Sequence, residues 1–319
     1  MKKIILRSLI SLFFIGLLFY LVRGDIPEIV RVLKNINRKF FIAAVAVFLL
    51  TVPVMARRLQ LIFEAEELPM KFLDALNLTF IGYFFNNFLP TSIGGDVVKA
   101  MCASRATGEP VKSLTSVLMD RIFGLFTFIM IPSVSLLFFL KEISNPFVPI
   151  LVYSFLAASI LFFFLLFNRN LARQFNFIET FLNYVKLGSK ARRIYDGLHK
   201  FKDHKALIAK AMVLSIVGQT VGILALYILS VALGSHSPII YFYLLVPLVN
   251  LISMLPSLNG LGIREGAYVY FLTPYIGREY AAAIGVLWLA LLFLLSFIGG
   301  VIYLVRHDYH IRFKEAAVS

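Results

Sequence analysis

Apolar residues dominate the chain in long segments that are separated by short polar stretches. Residues 143–168, 211–263 and 280–305 contain no Lys, Arg, Asp or Glu. A helix needs roughly 20 apolar residues to cross the hydrocarbon core of a membrane. The pattern therefore predicts membrane segments at 4–22, 40–56, 72–89, 114–140, 147–167, 206–233, 239–257 and 281–305, with a shorter apolar piece at 266–277.

Two of the apolar stretches end in the same short phrase. L-P-T-S-I-G occupies 89–94, and L-P-S-L-N-G occupies 255–260. Proline removes a helix N–H donor, and glycine adopts backbone conformations that other residues avoid. Each copy therefore predicts a broken or re-entrant helical hairpin. The piece at 266–277 is too short for a full span and fits one arm of such a hairpin.

The distribution of Lys and Arg predicts the orientation of the chain. We place both termini in the cytoplasm and let each hairpin return to the side from which it enters. The cytoplasmic pieces then hold 22 Lys and Arg residues and the outside pieces hold 7. Arg121 and Arg264 are left at membrane level. The positive-inside rule favours this topology, although it puts the basic loop 23–39 outside.

In this topology the two hairpins enter from opposite faces, and their flanks match in length. The stretch before the phrase is 49 positions in both halves, and the stretch after it is 25 or 26 positions. Matched spacing with opposite direction is typical of an inverted repeat, here approximately 40–140 and 206–305. The alternative is that the phrase arose twice by chance in a Leu-rich chain. The predicted fold is all-α, a polytopic integral membrane helix bundle that forms one transmembrane domain over 1–319.

Composition supports the membrane location and limits the possible partners. Hydrophobic residues make up 60% of the chain, and the mean hydropathy is +0.87. The formal net charge of +14 could indicate nucleic-acid binding or the collection of Lys and Arg on the cytoplasmic side of a membrane. The charges lie between apolar segments, so we expect no nucleic-acid partner. The single cysteine, Cys102, excludes an internal disulfide and a cysteine metal cluster.

The chain start and one long polar loop need separate interpretation. The first 22 residues resemble a signal peptide, but no small-residue cleavage site follows them, so we predict an uncleaved first helix. The loop 168–205 carries nine Lys and Arg residues against three acidic residues. It is predicted to be cytoplasmic and to lie on anionic lipid as an amphipathic helix. His199 and His204 in this loop lack carboxylates in register, so no metal and no other cofactor is predicted.

Polar side chains and glycines cluster at the first break. They are Asn86, Asn87, Pro90, Thr91, Gly94, Gly95, Asp96 and Lys99. Such groups must be buried in protein or line a wet cavity, because they cannot face lipid tails. A helix beginning near Gly95 would offer free N–H groups to an anion such as a lipid phosphate, unless Asp96 caps that helix. Lys99, one turn further on, could bind phosphate or pair with Asp96.

The second break repeats this arrangement with Asn259, Gly260, Arg264 and Glu265. The planar guanidinium of Arg264 can bind two phosphate oxygens at once. The alternative is an ion pair between Arg264 and a carboxylate that locks the two repeats together.

Two further pairs of charged residues lie close to or within predicted spans. Asp120 and Arg121 lie about six residues into a long helix, where ionisable groups rarely face lipid and are functional candidates. Alternatively, Arg121 reaches back to the headgroups while Asp120 caps or pairs locally. Arg57 and Arg58 close the second predicted helix, and we expect them to anchor it to anionic headgroups.

No motif in the chain indicates an enzyme. The sequence lacks G-x-S-x-G, H-E-x-x-H and a Walker phosphate loop, and it lacks paired acids for hydrolysis at membrane level. We therefore predict no catalytic residues and no ATP-driven motor.

Three motifs resemble those of a known family. N-N-F-L-P at 86–90 with G-G-D-V-V-K at 94–99, D-R-I-F-G-L at 120–125, and the segment 256–266 resemble the transmembrane region of lysylphosphatidylglycerol synthetases, which defines a wider family of flippase-like membrane proteins. The resemblance covers nearly the whole chain, with the motifs in the family's order. Residues that match the family motifs are Asn87, Pro90, Gly94, Gly95, Asp96, Asp120, Arg121, Arg264 and Glu265. Lys99 stands where the family often has arginine.

The resemblance implies lipid translocation. In the synthetases the membrane region is held to move the aminoacylated lipid between leaflets, and a separate soluble domain makes that lipid. This chain ends at Ser319, soon after its last predicted helix, so aminoacyl transfer is not carried over. We expect a flippase or scramblase-like transporter of the inner (cytoplasmic) membrane, acting on an anionic phospholipid, an aminoacyl-phospholipid or a polyprenyl-linked lipid.

Two other functions are compatible with the sequence. A structural or regulatory subunit could recruit lipid-metabolism enzymes through the loop 168–205. An intramembrane lipid transferase would need Asp96, Asp120 or Glu265 as its acid or base. The expected partners are membrane lipids, and the sequence leaves a homo-oligomer open.

Overall fold

The structure, a computed structural model, describes residues 23–89, 94–139, 147–167, 201–255 and 260–309, with scattered positions between 12 and 20 and between 194 and 199. These residues form helices and turns, and no strand occurs among them. The helices are α1 (Ile26–Lys34), α2 (Arg38–Ala65), α3 (Phe72–Phe88), α4 (Gly94–Thr107), α5 (Pro110–Phe139), α6 (Phe147–Phe167), α7 (Lys205–Ala232), α8 (Ile240–Ile252), α9 (Ile263–Ile276) and α10 (Arg278–Val305). The predicted helical class is confirmed.

Four of these helices are long and apolar enough to cross a membrane. They are α2, α5, α7 and α10, judged by length and composition within the described residues. Each holds close to 28 residues, and at about 1.5 Å per residue each exceeds a hydrocarbon core of roughly 30 Å. The chain is therefore a multi-pass membrane protein.

The second membrane helix extends nine residues beyond its predicted end. Hydropathy ends the segment at 56 because Arg57 and Arg58 follow, but α2 continues to Ala65. The helix continues because Arg58 is buried against other helices rather than exposed to headgroups. At its start, the Asn37 side chain accepts hydrogen bonds from the backbone N–H groups of Lys39 (3.1 Å) and Phe40 (3.4 Å), which caps the helix.

The predicted outside loop 23–39 contains a helix that hydropathy alone does not indicate. α1 buries Ile29 and Val32 on one face and carries Glu28, Arg31 and Lys34 elsewhere. A short amphipathic helix of this kind is stabilised by packing its apolar face. The predicted surface helix of 168–205 lies almost entirely outside the described residues.

Helices of the first half of the chain pack directly on helices of the second half, so the two halves do not form separate bundles. α2 packs along α7, α3 packs on α10, and α5 packs on α8. Within each half, α3 contacts α4 and α4 contacts α5, while α8 contacts α9 and α9 contacts α10. Residues at the centre of the bundle therefore come from helices that are distant in sequence.

Glycine allows a close approach between α3 and α4. A Cβ at Gly95 would overlap the Gly82 carbonyl oxygen and lie 2.7 Å from Asn86 Cγ, closer than real Cβ atoms come. Gly95 is on α4, and Gly82 and Asn86 are on α3, so the two helices cross at this point.

Candidate functional site

A cavity of about 300 Å³ lies inside the bundle. All four long helices contribute to its wall from near their middles, for example Thr51 of α2, Gly124 of α5, Gln219 of α7 and Trp288 of α10. The shorter helices α3, α4, α8 and α9 contribute as well, and Arg264 of α9 is one of the lining residues. The volume is at the lower end of the range for ligand pockets, roughly 300–1,000 Å³.

Five charged side chains form a connected chain along the wall of this cavity. Arg58 Nε lies 2.7 Å from Asp120 Oδ1, and Lys99 Nζ lies 3.7 Å from Asp120 Oδ2. Lys99 Nζ also lies 3.4 Å from Asp96 Oδ1, and Arg121 donates to Asp96 Oδ2 at 3.0 Å. We call these residues the charge chain. It ties α2, α4 and α5 together.

The charge chain is buried and is not electrically balanced. It contains three cations and two carboxylates. Four of the side chains are at most 10% exposed, whereas that of Arg121 is 25% exposed. Removing charges from water is unfavourable unless partners and hydrogen bonds compensate. Arg58 Nη1 also donates a hydrogen bond to Ser215 Oγ of α7, at 2.9 Å.

The structure shows which partners the polar groups at the first break have. Asp96 binds Arg121 and Lys99, and the amide of Asn86 accepts the backbone N–H of Gly95 at 2.9 Å. A side chain of α3 therefore satisfies an N–H at the start of α4. Lys99 is paired with carboxylates, and Arg121 turns to Asp96 rather than standing alone at the headgroups.

The expectation for Arg58 was wrong. It was expected to anchor α2 to lipid headgroups together with Arg57, but it is only 5% exposed and pairs with Asp120. Successive residues of a helix point in directions about 100° apart. Arg57 is accordingly about half exposed and contacts Gln60 and Glu64 of its own helix.

At the second break, Glu265 stabilises the start of α9. Its Oε2 accepts the backbone N–H of Gly262 at 2.7 Å, and its Oε1 lies 3.4 Å from Arg264 Nε. Gly262 adopts a φ of 81°, which favours glycine. The carboxylate of Glu265 therefore stabilises the position of Arg264, which lines the cavity.

The structure brings together only part of the predicted site. Seven predicted residues line the cavity: Asn86, Asn87, Asp96, Lys99, Asp120, Arg121 and Arg264. Asn87 also binds α10, through the Leu292 carbonyl at 3.2 Å and the Ser296 hydroxyl. Gly94, Gly95, Gly260 and Glu265 are not among the described lining residues, and Pro90, Thr91 and Asn259 lie outside the described residues.

The prediction missed other lining residues, among them the polar residues Arg58, Gln219 and Asn250. A signal was present for the two amides, because both interrupt the charge-free stretch 211–263. An amide within a membrane segment is expected to face the bundle rather than lipid. For Arg58, the sequence shows only that it follows Arg57, which does not indicate a place in the cavity wall.

The fold and the cavity define a polytopic helical membrane protein with buried charges at its centre. The model of the family described as "Lysylphosphatidylglycerol synthase TM region" matches residues 4–300. The chain belongs to this family, and the resemblance inferred from the three motifs is confirmed. Comparison with curated proteins and with solved structures gave no significant match.

Proposed function

We propose that this protein translocates an anionic or phosphate-bearing lipid between the leaflets of the cytoplasmic membrane, without changing it chemically. The headgroup passes through the central cavity while the acyl chains stay in the bilayer. The observation that carries this proposal is the excess of positive charge around the cavity. Membership of the family is consistent with a lipid-related role.

The cavity favours a negatively charged headgroup. Among its described lining residues, Arg58, Lys99, Arg121 and Arg264 are cationic and only Asp96 and Asp120 are acidic, a net charge of +2. Counting Glu265 beside Arg264 leaves +1. Excess charge in a membrane bundle is expensive and marks ion or substrate pathways. A phosphate in the cavity would supply negative charge and accept hydrogen bonds from guanidinium groups.

The inverted repeat is part of the proposal, and helix packing supports it. If α2, α3, α4 and α5 are exchanged with α7, α8, α9 and α10, the contact of α3 with α10 becomes that of α8 with α5. The contacts α3–α4 and α4–α5 become α8–α9 and α9–α10, and all of these occur. A twofold relation of this kind places a site at the interface of the repeats.

The two short helix pairs act as re-entrant hairpins in this proposal. α3 and α4 contain 17 and 14 residues, and α8 and α9 contain 13 and 14. Each falls short of the roughly 20 residues needed for a full span. Helices that end inside a bundle leave backbone donors and acceptors that can replace the water around a headgroup.

We propose the topology predicted from the charge distribution, with both termini in the cytoplasm. Lys99 and Arg58, which were counted in cytoplasmic pieces, lie in the cavity wall. Without them the cytoplasmic pieces still hold 20 Lys and Arg residues against 7 outside, so the positive-inside argument stands.

Lipid exchange in proteoliposomes tests the proposed function. Purified protein is reconstituted with a trace of fluorescent phosphatidylglycerol, and loss of fluorescence after adding an impermeant quencher reports lipid arriving in the outer leaflet. We expect faster exchange than in protein-free liposomes and recovery of the lipid with unchanged mass. Exchange at the protein-free rate across a panel of anionic lipids would overturn the proposal, and a changed mass would indicate an enzyme.

Arg264→Gln is expected to slow this exchange at least tenfold, because the variant removes one of four cavity cations and its bidentate fork. The matched control is Arg278→Gln. Arg278 is on the surface, 49% exposed, and lies 3.5 Å from Asp25, so its replacement should leave exchange unchanged. A folded Arg264→Gln variant that exchanges lipid at the wild-type rate would remove Arg264 from the pathway.

A further inference from the structure

We infer that three exposed cations, Lys34, Arg38 and Lys39, form a docking surface for the headgroups of anionic phospholipids at the membrane surface where α2 begins. We call these three residues the basic face. None of them is among the described residues that line the central cavity. The basic face concerns the lipid that surrounds the protein, so it is independent of the proposed translocation.

The basic face belongs to a stretch with an excess of positive charge. Residues 23–39 contain five Lys and Arg residues and two acidic residues, and the proposed topology puts them outside, where the positive-inside rule disfavours such an excess. Both acids already have a cation: Glu28 Oε2 lies 2.8 Å from Arg31 Nη2, and Asp25 Oδ2 lies 3.5 Å from Arg278 Nη1. Within the described part of the chain, no carboxylate forms an ion pair with the basic face.

Packing holds the basic face in a fixed place. α1 buries Ile29 and Val32, and it packs on α10. At the turn between α1 and α2, the backbone N–H of Asn37 donates to the Ala232 carbonyl at the end of α7, at 2.8 Å. Two other helices therefore fix the turn around which the three cations lie.

The cations of the basic face do not serve the stability of α2. The first turn of a helix is the positive end of its dipole, where acidic residues are favoured and cations are unfavourable. α2 nevertheless starts with Arg38 and Lys39, and its first turn contains no acidic residue. All three residues of the basic face are exposed, so an anion outside the protein can reach them and offset this repulsion.

The depth of the basic face fits a lipid phosphate. The apolar run of α2 begins at Phe40, directly after Lys39, so the cations lie at the border of the hydrocarbon region. Phe40 is 48% and Ile42 is 66% exposed, as expected of side chains that face acyl chains. Arg38 and Ile42 lie one turn apart on the same side of the helix. A phospholipid whose tails contact Ile42 therefore has its phosphate near Arg38, and each cation at such a surface adds to the attraction.

Quenching of a tryptophan placed beside the basic face measures which lipids bind there. The Phe40→Trp variant is reconstituted in mixtures of phosphatidylcholine and phosphatidylglycerol, with one of the two carrying brominated acyl chains, which quench on contact. The wild-type protein supplies the background, because its single tryptophan, Trp288, is buried and lines the cavity.

We expect phosphatidylglycerol to bind about fivefold more tightly than phosphatidylcholine beside this tryptophan, because the basic face attracts its charge. The preference should fall toward one at high salt, since the screening length shortens to about 3 Å at 1 M.

Replacing the whole basic face tests which residues cause the preference. The triple variant Lys34→Gln, Arg38→Gln and Lys39→Gln, made in the Phe40→Trp protein, should bring the preference to about one. These side chains are exposed, and two of them oppose the dipole of α2, so their loss should not unfold the protein.

The matched control replaces three exposed cations at the opposite end of the bundle by glutamine. They are Lys71 before α3, Arg105 near the end of α4 and Lys205 at the start of α7. This variant should keep the preference of the Phe40→Trp protein.

The outcomes separate the basic face from the proposed function. A preference of one in the Phe40→Trp protein, a preference that survives high salt or loss of the basic face, or an equal loss in the two triple variants would overturn the basic face as a lipid-binding surface. None of these results depends on exchange between leaflets, so the proposed function would stand. A salt-sensitive preference in a protein that exchanges no lipid would overturn the proposed function alone.

Discussion

Asp120→Asn is expected to lower the free energy of unfolding by about 3–5 kcal/mol, because it leaves buried cations without their partner. Asp120 is the shared acceptor of Arg58, at 2.7 Å, and of Lys99, at 3.7 Å. Asparagine keeps the shape of the side chain and removes its charge. The charge chain would then hold three cations against the single carboxylate of Asp96.

The loss should be measured as unfolding in mixed micelles and as the melting temperature in detergent. The matched control is Asp25→Asn, which removes the carboxylate of an ion pair that is 38% and 49% exposed. Surface pairs contribute at most about 1 kcal/mol, so this variant should stay close to wild type. Equal, small losses in both variants would contradict the structural role assigned to Asp120.

Gly95→Ala is expected to destabilise the fold by about 1–3 kcal/mol, because the added methyl group forces α3 and α4 apart. The obstacle is the backbone carbonyl of Gly82, which cannot rotate away as a side chain can. The shift would also break the hydrogen bond from Gly95 N–H to Asn86 and displace Asp96 in the next position. Lipid exchange should therefore fall together with stability.

Gly266→Ala is the control for this variant. Gly266 lies in α9, and nothing comes within 4 Å of a Cβ built there. Alanine is favoured over glycine within a helix by about 1 kcal/mol, so this variant should match or exceed wild-type stability. If Gly95→Ala melts at the wild-type temperature, the close crossing of α3 and α4 is not a feature of the folded protein.

Hydropathy predicted the spans well where packing does not oppose it. The segments 206–233 and 281–305 differ from α7 and α10 by at most three residues at either end. Hydropathy failed where tertiary contacts determine the helix. α2 continues to Ala65, with Arg58 paired to Asp120 inside the bundle, and α1 forms because its apolar face packs against the rest of the protein.

The candidate site was predicted in its residue types but not in its pairing. Asp120 and Arg121 were singled out because charges in a membrane are costly, and Asp96 and Lys99 because they follow the first break. Their mutual partners could not be deduced from spacing, since α2, α4 and α5 must first cross at the right angle and depth. Glu265 was grouped with the headgroup site, and in the structure its carboxylate accepts the backbone N–H of Gly262 at the start of α9.

The sequence by itself determined the helical membrane class and the family. It also predicted the two interrupted hairpins. It could do so because hydropathy, proline and glycine act locally along the chain. Only the tertiary structure decided that Arg264 meets the first-half charges around one cavity, and that Gln219 and Asn250 line the same cavity. These placements depend on packing between α2 and α7, α3 and α10, and α5 and α8, which joins residues far apart in the chain.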